Sequence, residues 1–196
     1  MPPFDPRAYI SVDIEASGPN PGSYALLAIG ACNVADPSRT FYVELKPTSM
    51  NHQAEAMAVH GLSLDELSRR GLDPAEAMAR FEAWALAQVP EGSAPIFVAY
   101  NAPFDWMFIQ DAFQRTLGRN PFGHAPLDIR ALYMGQSGAA WDAIRLDDLF
   151  DHYLGGRRLS HNALEDALDQ AALLGADGGL EEEQDELPFF RSRPAA

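Results

Sequence analysis

A chain of 196 residues with 47% hydrophobic and 10% aromatic positions is long enough for one domain with a buried core, which excludes pervasive disorder, a collagenous repeat and a coiled coil. Twenty-eight acidic against 14 basic residues give a net charge of −14, which argues against sequence-independent coating of a long polyanion, because that affinity comes from many Lys and Arg contacts to phosphate. The apolar runs at 25–31 and 96–99 fall far short of the roughly 20 residues that cross a bilayer, and the first ten residues lack the basic flank and apolar stretch of a signal peptide.

The single cysteine, Cys32, permits no internal disulfide and no thiolate metal cluster, and is expected as a small buried hydrophobe in a reducing, cytoplasmic setting with no membrane association. Thirteen of the 14 cations are Arg, which suits bidentate phosphate contacts at a few places.

Residues 9–15, YISVDIE, alternate: Ile10, Val12 and Ile14 point one way and Ser11, Asp13 and Glu15 the other, as in a strand. The breaker-rich loop ASGPNPGS ends it. Strands at about 24–34 and 41–45 complete a meander. Ser63 with Glu66 forms a capping box before a short helix, and Asp73, Pro74 and Glu76 open a longer one reaching about Val89. PIFVAY, 95–100, reads as a buried strand that passes through Asn101 into a helix with Pro103 in its first turn, ending near Leu117 before Gly118. A short strand or helix start near Leu127 is followed by helices at about 146–154 and 162–174. Gly155, Gly156, Arg157 and Arg158 separate the last two. Three strands followed by alternating helix and strand predict an α/β layer domain over residues 1–176. Residues 177–196 lack periodicity and carry an acidic run, predicting a flexible tail.

Three constellations carry chemistry. Asp13 and Glu15 share a strand face at its carboxyl end, an arrangement open to a divalent cation because hard cations demand oxygen ligands. The same triplet commonly just solvates a strand. Asp105 lies in the first turn of a helix, where a carboxylate can also serve only to offset the helix dipole. In LSHNALEDALDQ, Ser160 is placed to cap a helix, with His161 at its entrance and Asp166 about one and a half turns inside. Glu165 and Asp169 read as solvated charges.

The order Asp-x-Glu strand, Asn-Ala-x-Phe-Asp helix start and His-x4-Asp helix closely resembles the DEDD exonuclease superfamily, in its histidine-containing branch. GSYALLAIGAC looks like the family's second strand, and AMAVHGLSLDEL, with His60 and Gly61, looks like its Val-His-Gly turn. The resemblance spans about residues 9–175. It implies an RNase H-like mixed five-stranded sheet flanked by helices, and 3′-5′ hydrolysis of nucleic acid to nucleoside 5′-monophosphates. It carries over Asp13, Glu15, Asp105 and Asp166 as metal-binding carboxylates and His161 as general base. Such a donor set, without Cys or an obligatory His, selects two Mg²⁺ or Mn²⁺ ions over Zn²⁺. The imidazole's unperturbed pKa of about 6.5 suits a base.

Ala16, Ser17, Gly18, Tyr100, Asn101, Phe104, Arg157 and Arg158 are the candidate substrate contacts, the aromatics by stacking on a terminal base and the Arg pair on phosphate. Two positions depart from the family: Tyr100 stands where His is frequent, and Ala16 where Thr is. Neither is a metal ligand, so the departures bear on substrate contacts. Trp106 and Phe108 read as core. DNA and RNA both remain open as single-stranded or 3′-ended substrates, a homodimer is compatible with the sequence, and a non-catalytic nucleic-acid module on the same fold is the rival class. In the tail, Gln184, Leu187 and Phe189 of QDELPF resemble the peptide by which bacterial replication proteins grip the DNA sliding clamp, which favours DNA. The mechanism is a short extended segment whose Leu187 and Phe189 enter an apolar pocket.

Overall fold

The protein's computed structural model describes residues 8–176, so the tail and its clamp-like peptide lie outside the described residues. The strands are β1 (Tyr9–Ala16), β2 (Leu26–Asn33), β3 (Thr40–Glu44), β4 (Ile96–Ala99) and β5 (Leu127–Asp128), in the order β3-β2-β1-β4-β5. The meander β1 to β3 is antiparallel, while β4 joins β1 and β5 joins β4 in parallel. This is the mixed five-stranded sheet expected. The helices are α1 (Ala54–His60), α2 (Leu64–Arg70), α3 (Pro74–Gln88), α4 (Pro103–Leu117), α5 (Ile129–Ser137), α6 (Leu146–Tyr153) and α7 (Ala163–Ala176). No described helix is long and apolar enough to cross a membrane.

Local chemistry sets the ends of these helices. Ser63 Oγ accepts from the Glu66 N–H, and Asp73 from the Ala75 N–H, satisfying donors that a helix start leaves orphaned. Gly118, at φ +67, closes α4 in the left-handed conformation that only glycine adopts without cost. Two helices exceed the sequence expectation. The segment assigned to a Val-His-Gly turn is the end of α1, which includes Val59 and His60 and stops at Gly61, φ +68. The start near Leu127 opens into α5, capped by Asp128.

The alternation in β1 is real, but its polar side is not a solvent face. Ile10, Val12, Ile14 and Ala16 pack with Phe97 of β4 against Met78 and Phe81 of α3 and Phe108, Ile109 and Phe113 of α4. Each fully buried side chain of this size contributes roughly 1.5–3 kcal/mol relative to exposure. Phe108 is core as expected, and Trp106 lies edge-on to Phe97 at 5.2 Å. The opposite face is covered by α6 and α7 through Leu149, Phe150, Leu173 and Leu174, which meet Cys32 and Val98. Cys32 is fully buried, and burial pushes its thiol up to about 12.

Gly30 lets α7 settle onto the sheet. It pairs with Asp13 across β2 and β1, and a Cβ there would lie 2.1 Å from the carbonyl carbon of Ala163 at the start of α7. The absent side chain therefore brings the entrance of α7 down beside Asp13.

Candidate active site

The carboxyl end of β1, the start of α4 and the entrance of α7 converge on one pocket. Its wall includes Asp13, Glu15, Asp105, His161 and Asp166, with Tyr100, Asn101 and Phe104. Asp13, Glu15 and Asp166 each offer one carboxylate oxygen, and these lie within 4.8 Å of one another. The pairing of β1 with β2 slips between Glu15 and Ala16. Such an irregularity re-aims side chains at a strand end.

Asp105, in the first turn of α4, is 4% exposed and accepts from the Ile14 N–H at 3.1 Å. Its carboxylate binds α4 to β1 in addition to facing the helix dipole. Asp166 is held by three donors at the loop before its helix: Ser160 N–H at 2.8 Å, Ser160 Oγ at 3.1 Å and His161 N–H at 3.0 Å. The cap of α7 is consequently Asn162, whose Oδ1 accepts from the Leu164 and Glu165 N–H groups at 3.1 and 3.2 Å. Ser160, expected as that cap, is committed to Asp166 because its N–H and hydroxyl both face that carboxylate.

Clustered buried acids resist ionisation. Burial raises Asp13 well above the usual carboxylate range, with repulsion from Asp105, Glu15 and Asp166 adding to it. Burial, then Asp166 and Asp105, pushes Glu15 up to about 8. Asp105 rises to about 8 and Asp166 also rises, both chiefly through burial, although hydrogen bonds from backbone N–H groups oppose it. A cation among them would relieve this strain. The donors are oxygen only, with no thiolate among the described residues near them, so the cluster fits a hard divalent ion.

Asn101 and His161 are the two non-glycine residues with positive φ among those described, both at +57. That conformation costs roughly 1–2 kcal/mol. Both line this pocket, and such strain characteristically collects at functional sites. His161 is exposed at the rim, outside the three-carboxylate cluster.

The other expected substrate residues separate. Tyr100 and Phe104 reach the pocket, Phe104 packed edge-on against Phe108 at 5.5 Å. Ala16, Ser17 and Gly18 are buried and shape the adjoining loop: Ser17 Oγ donates to Asn51 O at 2.8 Å and accepts from Ala25 N–H, while a Cβ at Gly18 would lie 2.3 Å from the Tyr24 ring. Arg157 and Arg158 do not border the carboxylate pocket. They line a separate shallow depression, with Arg157 paired to Asp169 at 2.7 Å and Arg158 to Asp151 at 2.8 Å.

Three residues of the site escaped the sequence reading. Gln170, one turn beyond Asp166 on α7 and 2% exposed, donates to Asp13 Oδ1 at 2.7 Å and accepts from Tyr100 N–H at 2.8 Å. Its spacing of four from Asp166 was the available signal. Asp128 accepts from Ala102 N–H and Ala131 N–H, both at 2.7 Å, tying the starts of α4 and α5 together. Arg130 follows it and brings a cation to the pocket wall.

No family model matches the chain. It is similar to the 3′-5′ DNA exonuclease Cap18 of Escherichia coli, 44% identical over 169 residues that cover 86% of this chain and 90% of that protein. The fold is similar to the nuclease domain of 3′hExo, a DEDDh family member bound to rAMP, with a TM-score of 0.70, 16% identity, and coverage of 87% of this chain and 92% of that one. It is also similar to E. coli exonuclease I in a zinc-bound complex with single-stranded DNA, with a TM-score of 0.65 and 18% identity. That match covers 87% of this chain and 40% of the longer exonuclease I chain.

Proposed function

Because the chain belongs to the DEDDh family of 3′-5′ exonucleases, we propose that it shortens DNA strands from the 3′ end, releasing nucleoside 5′-monophosphates. The convergence of Asp13, Glu15 and Asp166 within 4.8 Å beneath an exposed His161 carries this reading. These carboxylates, with Asp105 in the same wall, would hold two Mg²⁺ or Mn²⁺ ions. Such ions, when bound, stabilise charge on the attacking and leaving oxygens of a phosphoryl displacement.

The chain's own groups do the rest. His161 takes the proton of the attacking water as that oxygen bonds to phosphorus and the bond between phosphorus and the 3′ oxygen of the penultimate nucleotide breaks, the leaving oxygen taking a proton from solvent to become the new 3′-hydroxyl. Asp166, through its bond to the His161 N–H, fixes the backbone from which the imidazole projects. Phe104 and Tyr100 offer aromatic faces to the terminal nucleotide.

DNA is favoured over RNA by the similarity to Cap18 and by the clamp-like peptide at Gln184, Leu187 and Phe189, which would tether the enzyme near DNA ends. Degradation of 3′-labelled single-stranded DNA, duplex DNA and RNA by one preparation tests the reading. Shortening of single-stranded DNA, stopped by EDTA, by a blocked 3′-hydroxyl and by Asp13→Ala or Asp166→Ala, is expected. Faster loss of RNA would move the substrate to RNA, and cleavage of circular DNA would overturn exonuclease action.

A further inference from the structure

Arg130 lies in the wall of the carboxylate pocket, yet no carboxylate among the described residues holds it. Seven described arginines, Arg157 and Arg158 among them, are ion-paired, whereas Arg130 makes no ion pair among the described residues. The nearest acid in sequence, Asp128, accepts instead from the N–H groups of Ala102 and Ala131. The Arg130 guanidinium instead lies over the ring of Trp141, 4.1 Å from its centroid, and Nη2 donates to the Trp141 carbonyl at 2.5 Å. Its Nε is buried with no acceptor among the described residues. Trp141, 45% exposed, is among the most open large hydrophobic side chains described.

A chain of net charge −14 that gathers four carboxylates in one pocket repels a polyanionic strand, and binding there needs local positive charge. We propose that Arg130, braced on Trp141, receives a backbone phosphate of the substrate strand at the edge of the carboxylate pocket. The inference rests on the exonuclease reading. Stacking fixes the guanidinium plane, and with Nη2 on the Trp141 carbonyl and Nε buried, the N–H groups of Nη1 are the donors left for a phosphate oxygen. Trp141 is then a positioning residue, acting through Arg130.

The test uses the full chain, with Arg130→Gln, Arg130→Lys, Trp141→Phe and Trp141→Ala beside an exposed control, Arg80→Gln. Thermal unfolding checks each fold. KM on a 3′-labelled single-stranded oligodeoxynucleotide, and Kd in EDTA, are measured across salt concentrations and with each phosphate in turn replaced by a neutral methylphosphonate. Arg130→Gln should raise both constants about tenfold and lower the salt slope by about 0.7, the value of one phosphate contact on a single strand. The wild type should be sensitive to one methylphosphonate position, and Arg130→Gln should lose that sensitivity. Trp141→Phe should fall between the wild type and Trp141→Ala. A folded Arg130→Gln with unchanged constants, slope and methylphosphonate profile would show that Arg130 only anchors the Trp141 turn. A wild type that neither binds nor shortens the strand would instead defeat the exonuclease reading itself.

Discussion

The amide of Gln170 bridges β1 and the turn after β4: Nε2 donates to Asp13 Oδ1 at 2.7 Å, and Oε1 accepts from Tyr100 N–H at 2.8 Å. The bond to Asp13 favours its ionised form against burial and three neighbouring carboxylates. Gln170→Leu leaves a buried acceptor and a buried donor unpaired, each costing about 1–3 kcal/mol. We expect a fall in Tm of several degrees and weaker Mn²⁺ binding by calorimetric titration at pH 7, since Asp13 then holds its proton more tightly. Mn²⁺ affinity equal to wild type in a folded variant would show that Asp13 is oriented without the amide.

The carboxylate cluster gives a pH dependence to the metal-free fold. Glu15 and Asp105 titrate near 8 in the folded chain but near 4 when unfolded. Between those values the native state binds more protons than the unfolded state, so stability falls as pH rises from about 4 to about 8. In EDTA, Tm should decline over this window. Adding Mg²⁺ should raise Tm more at pH 8 than at pH 5, because protons and cations compete for the same oxygens. A flat Tm profile in EDTA contradicts the clustering.

Gly30 sets the depth at which α7 rests. Gly30→Ala forces a methyl to within 2.1 Å of Ala163 backbone, so α7 must lift, at a cost of at least 1–3 kcal/mol. Asp166 and His161 move with it, and nuclease activity should fall further than the drop in folded fraction explains. Gly22→Ala, whose methyl would meet only Asn20 Oδ1 at 3.4 Å, serves as the silent comparison.

His161→Ala should retain strand binding and lose 10²- to 10⁴-fold in rate, the usual contribution of a general base. Because position 161 has φ +57, His161→Gly should be equally inactive yet more stable than His161→Ala by about 1 kcal/mol. A rate within about threefold of wild type would assign the proton to another group.

The tail is tested by ending the chain at Ala176, and separately by Leu187→Ala with Phe189→Ala. Both should abolish capture by the cognate sliding clamp while leaving degradation of short oligonucleotides intact. Absence of clamp binding by the full chain removes that argument for DNA.

The sequence by itself determined the strand of Ile10 to Glu15, the helix starts at Ser63, Asp73 and Pro103, and the candidate acids Asp13, Glu15, Asp105 and Asp166, because period, caps and breakers are local and each acid sits at a recognisable element end. Tertiary structure decided what those residues face. The polar side of β1 is covered by α7 because Gly30, on the neighbouring strand, leaves room for it. Arg157 and Arg158, conspicuous in the chain, are engaged by Asp169 and Asp151, while Arg130, unremarked in its helix, reaches the pocket without an acid partner among the described residues. Gln170 acquires its role from Asp13, 157 positions away. A hydrogen bond or an unpaired charge is a property of two groups brought together by the fold, and no pattern along one segment encodes the partner's position.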